Sequence, residues 1–225
     1  MLERLRSVWR KFRKSSHCAV LFVPSKTMEP NDPVETIRFG VSALCEGDPS
    51  CIQMPTRQAH LDAALRAGGA QPSPRHIILF AHPSSSWSGF AVNPSSPSEN
   101  ETLLPDWWQI SNHRFGYLVA HVCFGARVLA AEPWKQVFPE WLSYNEDIHA
   151  FLANDDDIAL WVNLGKSIVD AAVHSANVRS LSNRVRAAYL QKMADLMDSL
   201  TTRNVVHEMH LQKAMDSLET SGGTT

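Results

Sequence analysis

Two runs decide how this chain is read: Ile77-Ile78-Leu79-Phe80-Ala81-His82, and Phe115-Gly116-Tyr117-Leu118-Val119-Ala120-His121-Val122-Cys123 followed by Phe124-Gly125-Ala126-Arg127. Each apolar run is short and continuous, the pattern of a strand buried on both faces of a parallel sheet. Open α/β sheets place their chemistry in the loops that leave the carboxyl ends of such strands. If the two runs are neighbours, His82 and Cys123 meet at one sheet edge. A cysteine nucleophile and its base require that arrangement.

Working outward, Cys18 to Val23 reads as a first core strand stopped by Pro24. Ile37, Phe39 and Val41 alternate with polar or small residues, as in a half-exposed edge strand, and Cys45 to Pro55 reads as a loop. Thr56 is a good N-cap for a helix that carries Leu61, Ala64 and Leu65 and ends at Gly68-Gly69. This alternation is the rhythm of an α/β domain. Pro83 to Asn100 is a long connection of Ser, Pro and Asn, and connections of that length tend to be functional. Trp87, set within it, is either a wall of a substrate cleft or a plug that anchors the loop. Trp107 and Trp108 lie in an apolar segment expected to pack beside the Cys123 strand.

Beyond Cys123, Gly125 to Ala131 reads as a helix broken at Pro133, and Phe138 to Tyr144 as a strand. Asp155-Asp156-Asp157 then caps a helix through Trp161, Ile168 and Ala172; carboxylates at a helix N-terminus need no metal to explain them. Residues 180–219 carry one or two amphipathic helices that need a partner surface. His207-Glu208-Met209-His210 is one residue short of the zinc-peptidase spacing, so no zinc is assigned. Ser221 to Thr225 reads as a frayed tail.

The length of 225 residues accommodates one α/β domain with helical extensions, and a formal net charge of -2 argues against a surface that coats nucleic acid. The four cysteines, Cys18, Cys45, Cys51 and Cys123, form no C-x-x-C pair and no zinc-like spacing. A reduced, cytoplasmic protein without a disulfide framework is expected. No cofactor is implied, and no run approaches the length of a membrane span or of a signal-peptide core.

Residues 1–16 are basic and amphipathic: Leu2, Leu5, Val8, Trp9 and Phe12 recur at helical spacing, and Arg4, Arg6, Arg10, Lys11, Arg13 and Lys14 are opposed only by Glu3. Such a helix either lies on an anionic membrane or acidic partner, or packs its apolar stripe on this same domain. The second reading is favoured, because one helix of this kind binds membranes only marginally.

A strand ending in His, then a loop and a strand ending in Cys, resembles the caspase-like cysteine peptidases, in particular their bacterial CHAT-type branch. Ile77 to His82 matches the histidine strand, Phe115 to Cys123 the nucleophile strand, and Gly125 the small residue that often follows the nucleophile. The resemblance implies a three-layer α/β sandwich with a mostly parallel sheet over residues 17–175. The N-terminal helix of residues 1–16 and a helical extension at 176–225 flank it. It implies a Cys–His endopeptidase working through a thioester, with Cys123 as nucleophile, His82 as general base or acid, and Trp87 and Ser84 as candidate substrate-binding residues. A regulated bacterial role such as defence, with an activator or partner subunit engaging the terminal helices, also follows from the resemblance. The family's second oxyanion donor is the N–H of a glycine after the histidine. Here that residue is Pro83, which has no N–H. Either an amide of the Ser84–Ser86 turn replaces it, or the protein is slow, or it is not a peptidase.

His121 shares a strand face with Cys123 and is a competing base, though a histidine inside a buried strand is more often structural; His113 lies in the loop before that strand. His121-Val122-Cys123-Phe124-Gly125 also resembles the nucleophile elbow of α/β-hydrolases. That fold needs an acid and then a histidine after the nucleophile, a role open only to Asp170 with His174 or His207. A third reading is a non-catalytic interaction module acting through the terminal helices.

Overall fold

The computed structural model describes residues 18–22, 51–53, 75–84, 86–91, 102–103, 115–148, 154–198 and 201–222. At its centre is β3 (Arg75–Phe80), because Ile77 to Phe80 offer no polar side chain to water. All four are fully buried, Ile78 and Phe80 on one face and Ile77 and Leu79 on the other. Flanking it in parallel are β1 (Cys18–Phe22) and β7 (Phe115–His121). Outside these lie β2 (Cys51–Gln53) beside β1, and β8 (Glu140–Tyr144) followed by β9 (Leu218–Thr220) beside β7. The described residues thus form an open six-stranded sheet in the order β2-β1-β3-β7-β8-β9, parallel except for β9. The fold is mixed α/β.

Both faces of this sheet are covered. On one, Phe80, Tyr117, Val119, Leu142 and Tyr144 pack against α3 (Asp155–Val173), α4 (Val178–Met197) and α5 (Thr202–Asp216). On the other, Leu79, Leu118, Ala120 and Trp141 pack against α1 (Gly125–Leu129), α2 (Glu132–Val137) and Phe90. The C-terminal helices therefore share the core of the sheet, and β9 extends it. Side-chain oxygens of Asn154, Asn177 and Thr201 cap α3, α4 and α5.

Several elements differ from their sequence reading. Cys51–Gln53, expected in a loop, is an edge strand; three residues are too few to display a period. The Ser- and Pro-rich connection after His82 is partly folded: β4 (His82–Pro83), β5 (Phe90–Ala91) and β6 (Thr102–Leu103) pair antiparallel as a second small sheet. The helix expected over Gly125 to Ala131 is α1 and ends at Leu129, before Pro133; the proline itself sits in the first turn of α2, where its missing N–H costs nothing. Leu218–Thr220, expected at the end of a helix, is β9. The expected strand at Ile37–Val41, the helix after Thr56, the Trp107–Trp108 segment and the helix of residues 1–16 lie outside the described residues.

The triple aspartate also has more than a capping role. Asp157 is buried, and its Oδ1 accepts hydrogen bonds from Arg203 Nε (2.7 Å) and Nη2 (2.5 Å) and from His207 Nε2 (2.5 Å). This network ties α5 to the start of α3. A second tie runs from Arg186 of α4, whose guanidinium donates to the carbonyls of Met215 (3.2 Å) and Leu218 (3.1 Å), as suits a cation at a helix C-terminus.

Gly125 opens α1 where that helix crosses β8. A Cβ there would stand 2.3 Å from Ser143 Oγ and 3.1 Å from Val122 Cβ. Ser143 Oγ is buried and donates to the carbonyl of Ala120 at 2.8 Å, so it has nowhere to retreat without breaking a hydrogen bond. Gly125→Ala is expected to lower unfolding stability by about 1–3 kcal/mol, the usual cost of overpacking. Adding Ser143→Ala should recover part of that loss in denaturant melts.

Candidate active site

The register of β3 on β7 sets Phe80 opposite His121. His82 and Cys123 each follow two residues beyond that pair, so both leave the sheet at the same carboxyl edge. Both are half-buried. The helix that follows Cys123, α1, packs beside the short strand that carries His82.

The corner at Cys123 is stapled to the turn after β8. Ile148 N–H donates to Cys123 Sγ (3.2 Å), and the thiol faces the Ile148 carbonyl (3.7 Å). One residue on, Phe124 N–H donates to the Glu146 carbonyl (3.0 Å). Burial, and next the hydrogen bond to the Asp147 carboxylate, push the Cys123 thiol up to about 12. At neutral pH it is therefore a neutral thiol, not the thiolate that acts as a nucleophile. Residues 146–148 were not singled out from the sequence. The available signal was a polar Asn145-Glu146-Asp147 run leaving the carboxyl end of the strand next to the Cys123 strand.

Two residues in the described chain, apart from glycine, have positive φ: Trp87 (59°) and Phe124 (53°). They touch each other edge-to-face, with ring centroids 5.5 Å apart. The Arg127 guanidinium lies over both, 5.0 Å from the Trp87 ring and 5.5 Å from that of Phe124. Left-handed backbone at bulky residues costs about 1–3 kcal/mol each and concentrates at functional sites. Arg127 is exposed and has no carboxylate partner among the described residues. Trp87 is 38% exposed at this edge. Trp134 also anchors the loop: it packs on Phe90 and donates to the Ser88 carbonyl at 2.9 Å.

Ser84 has a different place from the one its position suggests. It is 5% exposed, and it closes its own turn. Its N–H donates to the Gly89 carbonyl (2.9 Å) and its Oγ accepts from Gly89 N–H (3.1 Å). The Trp87 N–H is likewise committed, to the Ser84 carbonyl at 3.0 Å. Of the amides in the Ser84–Ser86 turn that could have replaced the donor missing at Pro83, that of Ser84 is thus engaged within the turn.

The other histidines separate clearly. His121 is buried in the core, with Nδ1 3.0 Å from the Tyr144 hydroxyl, which lies 2.9 Å from that of Tyr189. Burial lowers its pKa to about 4, so the ring is neutral at pH 7. His174 bonds to the Asp170 carbonyl (2.8 Å), near the point where the Tyr117 hydroxyl donates to the Ser175 carbonyl (3.1 Å). Tyr117 is near the start of β7, so this pair lies at the opposite end of the sheet from Cys123. His207 is held on Asp157 with both ring nitrogens buried. Among the described residues no group of three His, Cys, Asp or Glu side chains is placed to hold a metal ion, and no helix is long and apolar enough to cross a membrane.

No protein-family model matches the chain, and no curated protein matches it.

Because His121 is neutral when folded and takes a proton readily when unfolded, acid destabilises the fold. This contribution is complete above the unfolded value of about 6.5 and is lost as pH falls toward 4. Going from pH 7 to pH 5 should remove about 2 kcal/mol through this group. Thermal or denaturant melts of the wild type and His121→Gln across this range should show that slope in the first and a flatter profile in the second.

Proposed function

We propose that the protein is a cysteine peptidase of the caspase-like, CHAT-type kind, with Cys123 as nucleophile and His82 as its general base. The observation that carries this reading is the register of Phe80 on His121, from which His82 and Cys123 each lie two residues on. An open, mostly parallel sheet with helices over both faces supplies the frame that a three-layer caspase-like sandwich needs. The wall of Trp87, Phe124 and Arg127 beside Cys123 is the surface on which a substrate chain would lie.

The chemistry runs in two halves. As Cys123 Sγ attacks the scissile carbonyl carbon, its proton passes to His82; the tetrahedral adduct collapses to a thioester, and His82 gives that proton to the departing amine. Water, losing a proton to His82, then attacks the thioester. The sulfur leaves and takes the proton back. The Cys123 N–H is one oxyanion donor. With Pro83 unable to supply the second, and with the Ser84 amide engaged, turnover should be slow by about 10²–10³ relative to a complete oxyanion hole.

The resting thiol is also held back, by its burial and by its contacts to Asp147 and Ile148. Activity therefore requires the 146–148 turn to move, which fits a regulated effector switched on by a partner. An esterase of the α/β-hydrolase kind is supported less well, because Asp170 and His174 lie at the far end of the sheet and His207 is bound to Asp157. The neutral thiol and Pro83 are what favour a non-catalytic interaction module, and thiol reactivity separates the two.

Alkylation of Cys123 by iodoacetamide, located by mass spectrometry, should be slow at neutral pH and rise steadily with pH toward the thiol's value of about 12. Asp147→Asn removes an acceptor and a negative charge that favour the neutral form. It should therefore speed alkylation at pH 8 by about three- to tenfold. A rate at Cys123 that ignores Asp147 would contradict the restraint described here.

A further inference from the structure

Where α5 passes the turn at Asn145 and Glu146, an open groove of about 680 Å³ runs along the helix. Val205, Met209, Gln212 and Asp216 recur at helical spacing along it and span about 16 Å, three turns of helix. Val205 is 43% exposed and Met209 65%. A valine on an open helix surface costs helix propensity without a return in packing. Methionine is the apolar side chain that adapts most readily to a partner. The two, four residues apart, offer a contact face.

The rim is acidic. Glu146, Glu208 and Asp216 stand against one cation, Lys213, which pairs with Glu146 at 3.6 Å. Asp216 accepts from the neutral amide of Gln212 at 2.8 Å. Neither Asp216 nor Glu208 has a cationic partner among the described residues. A ligand matched to this surface is apolar on one side and cationic along its flanks. A second copy of the chain does not match, because a two-fold interface sets the same patch against itself, acid on acid. An anionic lipid surface is repelled likewise. We propose that the groove docks an amphipathic helix of a partner protein, with apolar anchors about one turn apart and lysine or arginine on both sides of them.

The groove shares a wall with the corner that restrains Cys123. Asn145 N–H donates to the Ser217 carbonyl (2.9 Å), Lys213 ties Glu146 to α5, and the Glu146 carbonyl holds Phe124 N–H (3.0 Å). The next two residues, Asp147 and Ile148, hold the sulfur. A partner cation that takes the Glu146 carboxylate from Lys213 releases one tie of this turn. The partner gains that contact only when the tie is broken, so docking favours the open turn and a more reactive thiol. That the opening switches on a peptidase rests on the reading of Cys123 as a nucleophile; the docking does not.

The test uses the full-length protein and a fluorescein-labelled helical peptide of about 16 alanine, leucine and lysine residues, with leucines on one face and lysines beside them. The same peptide with glutamate for lysine is the control. In fluorescence anisotropy the basic peptide should bind, one per chain, and the acidic one should not. Glu208→Lys with Asp216→Lys should weaken binding about tenfold or more. Met209→Glu removes an anchor yet adds a negative charge, and docking in the groove predicts binding about tenfold weaker. Stronger binding to Met209→Glu would mean diffuse attraction between charges and would overturn the proposal. So would no binding to the wild type, or a free protein that sediments as a dimer and dissociates with Met209→Glu.

Saturating peptide should raise the iodoacetamide alkylation rate of Cys123 about two- to fivefold, and Lys213→Ala alone should raise it in the same direction. An unchanged rate with the peptide bound would overturn the coupling to the turn. Peptide turnover by the wild type and by Cys123→Ala decides the peptidase reading separately.

Discussion

Parallel pairing of β3 with β7 is the contact on which the rest of the molecule depends. Both strands are buried on both faces, so neither can move to an edge without exposing Ile77, Leu79, Leu118 or Ala120. Their register sets Phe80 against His121 and sends both chains out at one end of the sheet. From there α1 must turn back at once over β8. Gly125 allows that approach, because any side chain there would meet Ser143. The strand pair, the corner after Cys123 and the helix behind it form one packed unit.

At that corner two opposing tendencies meet. The position at the end of a buried strand excludes water from Cys123, and this raises the cost of a thiolate. Asp147 adds to the cost, while the Ile148 N–H offsets part of it. Beside the thiol, Trp87 and Phe124 are held in left-handed backbone against each other, with Arg127 across them. Strain of this kind persists only where the surroundings over-determine it. Here the surroundings are the Glu146–Phe124 hydrogen bond on one side and the Trp134 anchor of the β4–β5 turn on the other. On the proposed reading, the closed turn is the resting state and its release the event that makes the site competent.

The long, fully apolar elements were legible in the sequence: β3 and β7 announce themselves by continuous runs, and α3 by its period. Short elements were not. β2 and β9 have three residues each, too few for a pattern, and their pairing is set by neighbours distant in sequence. The hairpin after His82 was hidden by its Ser and Pro content, which reads as loop although Phe90 anchors it in the core. His82 and Cys123 were singled out in the sequence because each closes a strand-like run, and the register of β3 on β7 sends both to one carboxyl edge. The bond of Ser84 to its own turn was not legible, because a serine at a strand end bonds its turn as readily as a substrate. Asp147 and Ile148 stayed out of sight because their role depends on β8 lying next to β7, a tertiary fact. Asp157 looked like a cap, and only the packing of α5 revealed its buried bonds to Arg203 and His207.

The central claim is that Cys123 and His82 together cleave peptide bonds. Its most direct test is prolonged incubation of the full-length protein with an unbiased peptide library, with new termini read by mass spectrometry for the wild type, Cys123→Ala and His82→Ala. The account predicts slow but sequence-selective new termini in the wild type and none above background in either variant. Cleavage that survives Cys123→Ala or His82→Ala, or the absence of new termini from both the wild type and Asp147→Asn, would contradict it.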